Sequence, residues 1–106
     1  MRIFGLIGRS LTHSFSKSYF DKKFNSEAIV DAEYHLFELD QISELSNLII
    51  GLPELRGFNV TIPYKESIIP YLDEMDEVSK AVGAVNTVSV QGGRLIGYNT
   101  DVYGFQ

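Results

Sequence analysis

The run Gly57-Phe58-Asn59-Val60-Thr61-Ile62-Pro63-Tyr64-Lys65 marks a strand handing over to a helix in the middle of the chain. Phe58 and Val60 alternate with Asn59 and Thr61, the period of a strand with one apolar face. Pro63 suits the first turn of the helix that follows, where its missing N–H would have found no partner anyway. Three polar side chains, Asn59, Thr61 and Lys65, gather at the junction. In open α/β sheets, ligands bind just outside the carboxyl ends of strands. The junction therefore points to a fold class and to the edge of the sheet where a site belongs.

The flanking sequence repeats this grammar. Residues 2–7 read as a buried strand that stops at Gly8, and from about Ser16 the pattern turns helical, with Tyr19, Phe20 and Phe24 against Lys17, Asp21 and Lys22. Ala32 to Leu39 alternates as a second strand with Tyr34, Leu36 and Glu38 on one side. Asp40 is the expected N-cap of a helix carrying Ile42, Leu45, Leu48 and Ile49, ended by Gly51 and Pro53. Leu55 to Thr61 is the third strand. Glu66–Asp73 and Glu77–Val82 read as short helical pieces, with Pro70 interrupting the first. Ala84–Val90 and Arg94–Tyr98 pair as a hairpin around Gln91-Gly92-Gly93. Three strand–helix units followed by a hairpin predict a three-layer α/β fold: a mainly parallel sheet with at least one antiparallel strand, flanked by helices.

At 106 residues the chain is one domain, and its net charge of −5 argues against a nucleic-acid surface. It has no cysteine, which excludes a disulfide, a thiolate nucleophile and a zinc–thiolate site. No apolar run approaches the roughly 18 residues of a membrane helix, so no membrane partner and a cytoplasmic location are expected. His13 and His35 lack the spacing and carboxylate neighbours of a metal pair, and no metal is expected. Seven Phe and six Tyr read as core residues. Neither a Gly-x-Gly-x-x-Gly run nor a P-loop is present.

Candidate chemistry sits in four places. Ser14 and Ser16 open a helix just past strand one, where hydroxyls and free N–H groups favour an anion; a helix cap and a turn serine read equally from the same residues. Lys65 follows a strand end. It reads either as a solvated surface charge or, beside Asp101, as a group that exchanges a proton with an alcohol or carbonyl oxygen. Asn86 lies in an apolar strand, where its amide must be satisfied by backbone or ligand. Asn99, Thr100 and Asp101 form a polar cluster or a simple turn with a cap. Taken together these groups suit a small polyhydroxylated acid on which a proton moves.

Four blocks resemble one family in order and spacing: His13-Ser14-Phe15-Ser16, the Gly57–Lys65 run, Gly83-Ala84-Val85-Asn86-Thr87, and Gly97-Tyr98-Asn99-Thr100-Asp101-Val102-Tyr103-Gly104-Phe105. The chain resembles the N-terminal, substrate-binding domain of shikimate dehydrogenases over essentially its whole length. The resemblance implies reduction of 3-dehydroshikimate to shikimate with NADPH, on the route to chorismate and the aromatic amino acids. It also implies roles: Ser14 and Ser16 on the substrate carboxylate, Thr61, Asn86 and Asp101 on ring hydroxyls, Asn59 supporting the pocket, and Lys65 as the catalytic lysine paired with Asp101. Such a site rejects analogues lacking a hydroxyl, because a buried partner is left unpaired.

The chain departs from the family pattern at Lys17 and Ser10, where the family commonly has proline. The family continues past the Asn-Thr-Asp block into a Rossmann domain that holds NADP(H), so residues 1–106 correspond to the substrate domain alone. No cofactor-binding residue is assigned, and the chain by itself is expected to be inactive and to self-associate through the face its partner domain would cover. The alternatives are a quinate/shikimate dehydrogenase using NAD or NADP, and a non-catalytic shikimate-binding module.

Overall fold

The computed structural model describes residues 2–9, 11 and 31–100. Strand β1 (Arg2–Gly8) sends alternate side chains to two cores: Ile3 and Ile7 to the larger, Phe4 and Leu6 to the smaller. On one side β1 pairs in parallel with β2 (Ala32–Glu38), and on the other with β3 (Leu55–Val60). The register of β3 shifts between Ile3, opposite Leu55, and Phe4, opposite Gly57, which leaves Arg56 as an extra residue. That bulge lets both Leu55 and Phe58 enter the larger core.

Strand β4 (Glu74–Met75) is a two-residue edge, and β5 (Thr87–Gln91) and β6 (Arg94–Tyr98) form the expected hairpin, with Gly92 and Gly93 at positive φ. The sheet order is β2-β1-β3-β5-β6-β4. β1–β2, β1–β3 and β4–β6 are parallel, while β5 runs antiparallel to both β3 and β6. The mixed α/β sheet is the one the sequence predicts.

The larger core is covered by helix α1 (Leu45–Gly51), whose Leu45, Leu48 and Ile49 pack onto it, and by Tyr64 and Ile68 around helix α2 (Tyr64–Ser67). Helix α3 (Glu77–Val82) is capped by Asp76, whose Oδ1 accepts from Ser79 N–H at 2.8 Å. The smaller core on the opposite face holds Leu6, Leu11 and Tyr34, with Phe4 and Leu36 against it. The helix expected from about Ser16 lies outside the described residues.

Four local expectations change. Asp40 is not an N-cap: a 3-10 turn at Ile42–Glu44 precedes α1, and Glu44 Oε2 reaches back to accept from the Asp40 and Gln41 N–H groups. Pro63 occupies the cap position before Tyr64 rather than the first turn. The predicted helix over 66–73 divides into α2 and a 3-10 turn at Ile69–Tyr71, and β4 follows it, a strand too short to leave a periodic signal. Strand β5 begins at Thr87, not Ala84, because the Ala84 carbonyl and Val85 N–H are engaged elsewhere.

Candidate functional site

Because β1, β3 and β6 run in one direction and β5 runs against them, the carboxyl ends of the first three meet the start of β5 at a single edge. Thr61 extends β3 by one residue there, its N–H donating to the Ile7 carbonyl at 2.9 Å. Tyr64 N–H donates to the Thr61 carbonyl at 3.0 Å and turns the chain into α2, which places Lys65 in the first turn as expected. The Val85 N–H donates to the Lys65 carbonyl at 2.8 Å, and Val60 N–H to the Asn86 carbonyl at 2.8 Å. These bonds bring Thr61, Lys65 and Asn86, separated in sequence, to one end of the sheet.

The turn before α2 is braced from outside. The Arg9 guanidinium lies 5.8 Å from the centre of the Tyr64 ring, and the Tyr64 hydroxyl donates to the Leu39 carbonyl. Tyr64 is buried, so the helix carrying Lys65 is anchored to the residues that follow β1 and β2.

Asn86 is buried, and its amide has a fixed sense. Its Oδ1 accepts from Thr87 Oγ1 at 3.1 Å, from the Thr100 N–H at 3.0 Å and from Thr100 Oγ1 at 3.2 Å. Among the described residues its Nδ2 donates to none, and Ser79 Oγ is the only buried side-chain polar atom lacking a partner. The Asn86 NH2 therefore faces the open edge as a donor, suited to a hydroxyl or carboxylate oxygen. Thr61, half-buried just past the end of β3, brings a hydroxyl-bearing side chain to the same edge.

Asn59 stands one step back from the edge. Its Oδ1 accepts from the Tyr34 hydroxyl at 3.1 Å and its Nδ2 donates to Thr87 Oγ1 at 3.3 Å. Asn99 is buried, and its Nδ2 donates to the Ala84 carbonyl at 3.0 Å, tying the end of β6 to the entry of β5. Asn99 thus serves the framework. Ser14, Ser16 and Asp101, and with them Ser10 and Lys17, lie outside the described residues.

Sequence reasoning placed Thr100 in a polar cluster with Asn99 and Asp101 without linking it to Asn86, and it overlooked Tyr34 and Thr87 as members of this network. Thr87 and Thr100 directly follow asparagines that were singled out, which was the available signal. Tyr34 reads as a core aromatic, and it is one; only the three-dimensional pairing of β2, β1 and β3 aims its hydroxyl at Asn59.

Among the described residues no group of His, Cys, Asp and Glu could hold a metal ion. Glycines with positive φ close α3 at Gly83 or turn the hairpin at Gly92 and Gly93. None of these glycines opens a helix.

Residues 6–88 match the family model described as the shikimate dehydrogenase substrate binding domain. The chain belongs to that shikimate dehydrogenase domain family. The shikimate dehydrogenase (NADP(+)) of Clostridium perfringens strain SM101 is 46% identical over 107 residues, covering 99% of this chain and 39% of the relative. The shikimate dehydrogenase 1 structure from Peptoclostridium difficile superposes with a TM-score of 0.90 at 41% identity, covering 99% of this chain and 39% of that one. The Listeria monocytogenes shikimate 5-dehydrogenase, solved in complex with shikimate and NAD, gives a TM-score of 0.86 at 36% identity, over 98% of this chain and 36% of its own. The chain thus spans about two fifths of the length of the shikimate dehydrogenases it matches. The matched segment holds Ser14, Ser16, Asn59, Thr61, Lys65 and Asn86, while Asp101 lies beyond it.

Proposed function

We propose that residues 1–106 form the shikimate-binding, catalytic N-terminal domain of an NADP-dependent shikimate dehydrogenase. The parent enzyme reduces 3-dehydroshikimate to shikimate with NADPH in the cytoplasm, within the shikimate pathway. The observation that carries this reading is the inward lock on Asn86 Oδ1, which leaves a donor at the same edge as Thr61 and Lys65. A ring bearing several hydroxyls needs such a set of fixed donors and acceptors.

In this reading Thr61, Asn86 and Asp101 hold ring hydroxyls, and Ser14 and Ser16 hold the carboxylate. Asn59 supports Asn86 through Thr87. Lys65, with Asp101 beside it, gives a proton to the ketone oxygen as it becomes an alcohol, and takes that proton back in the reverse direction. The chain spans about two fifths of the shikimate dehydrogenases it matches, and in this reading NADP(H) is held by a Rossmann domain outside residues 1–106. The chain alone is inactive in this account, and its self-association is testable by light scattering across a concentration series. The NAD bound to the Listeria relative supports, as a second reading, an enzyme that accepts NAD as well as NADP.

The test is kinetic, in the polypeptide that joins this chain to a cofactor domain. Lys65→Ala should lower kcat roughly a hundredfold or more with little change in KM for 3-dehydroshikimate. A raised KM at unchanged kcat would instead make Lys65 a binding group, and no turnover by the unaltered protein would leave a binding module.

A further inference from the structure

Four side chains connect the interior of the sheet to the site in one unbroken donor-to-acceptor order. The Tyr34 hydroxyl donates to Asn59 Oδ1 (3.1 Å), Asn59 Nδ2 donates to Thr87 Oγ1 (3.3 Å), and Thr87 Oγ1 donates to Asn86 Oδ1 (3.1 Å). Tyr34 is 2% exposed and comes from β2, two strands from Asn59 with β1 between them. Each group accepts on one side and donates on the other, so hydrogen bonds of this kind polarise one another.

The order has a consequence at Asn86. A threonine hydroxyl has one proton to give. Because Asn59 presents its NH2 to Thr87 Oγ1, the Thr87 proton is directed away from Asn59 and onto Asn86 Oδ1. If the Asn59 amide were reversed, its oxygen would take the Thr87 proton and one of the three donors on Asn86 would be lost. The Thr100 backbone N–H, which can only donate, holds Asn86 Oδ1 as an acceptor, and the Tyr34 hydroxyl donating to Asn59 Oδ1 completes the same order at the other end.

We propose that Tyr34, Asn59 and Thr87 are positioning residues that, together with the Thr100 N–H, hold the Asn86 amide with its NH2 toward the ligand. The site is thereby set to recognise an oxygen acting as hydrogen-bond acceptor at that position. This rests on the shikimate reading for the identity of the ligand, whereas the orientation of Asn86 is a property of the unliganded chain.

Two measurements on the full 106-residue chain test it. The first follows the side-chain NH2 signals of Asn86 by NMR without ligand, in the unaltered chain and in Thr87→Val, Thr87→Ser, Asn59→Asp and Tyr34→Phe. Thr87→Val keeps the β-branched shape but has no proton to give, and a carboxylate at position 59 would draw the Thr87 proton to itself. Both should shift the Asn86 signals and sharpen the exchange of its amide protons with water, while Thr87→Ser restores them. Tyr34→Phe should move the Asn59 signals first and the Asn86 signals less.

The second measurement titrates the same variants with shikimate. Loss of one oriented hydrogen bond should raise the Kd about five- to tenfold in Thr87→Val and Asn59→Asp, with Thr87→Ser near the unaltered value. Unchanged Asn86 signals in Thr87→Val and Asn59→Asp would overturn the proposal whatever binds. Shifted signals with no shikimate binding by the unaltered chain would overturn the ligand assignment alone.

Discussion

Gly8 and Thr61 meet so closely at the end of β1 that a Cβ on Gly8 would lie 2.6 Å from Thr61 Cγ2, and 2.8 Å from Leu11 Cδ2. A glycine is required here for approach rather than for its backbone angles. Gly8→Ala should therefore push Thr61 aside and weaken shikimate binding, at a stability cost of about 1–3 kcal/mol from overpacking. Calorimetric titration and chemical denaturation of the same variant separate the two effects. Full affinity in Gly8→Ala would remove Thr61 from the binding edge.

Ser79 Oγ is fully buried and makes no hydrogen bond among the described residues. Such a hydroxyl opposes folding, and alanine also favours the helix it occupies. Ser79→Ala should raise stability by about 1 kcal/mol, measured as a later denaturation midpoint with an unchanged slope. A clear loss of stability would mean that the hydroxyl has a partner, such as a bound water.

Arg2 Nη2 lies 3.1 Å from Asp31 Oδ1, closing the start of β1 onto the residue before β2. The hydrogen bond from Arg2, helped by its charge, holds the Asp31 carboxyl below its ordinary value of 3.8. A carboxylate depressed in the folded state adds stability at neutral pH and loses it as pH falls through the folded value. Both groups are well exposed, so the contribution is small and salt-sensitive. In an NMR titration Asp31 should protonate at lower pH than in Arg2→Ala, and the difference should shrink in high salt.

The fold was legible wherever one element carried its own pattern. The alternation in Leu55–Thr61, the Gly92-Gly93 turn and the strand–helix order gave the mixed sheet correctly. Features set by contacts between elements were not legible. The Arg56 bulge exists because Leu55 and Phe58 must share a core, and β4 exists because Glu74 and Met75 find β6 beside them. The late start of β5 reflects bonds from Val85 to Lys65 and from Asn99 to Ala84 that no local rule announces.

The same division holds at the site. Thr61, Lys65 and Asn86 were identifiable because a polar residue at a strand end or in an apolar strand requires explanation. The network that orients Asn86 was not, since Tyr34 and Thr87 are ordinary strand residues, and Thr100 an ordinary turn residue, until their partners are known.

The most direct measurement of the central claim is a shikimate titration of this 106-residue chain, followed through its backbone amide signals. The account predicts saturable shifts concentrated at Thr61, Lys65, Asn86 and Thr100, and at Ser14, Ser16 and Asp101. Shifts absent at the highest soluble shikimate concentration, or confined to the β4 edge of the sheet, would contradict it.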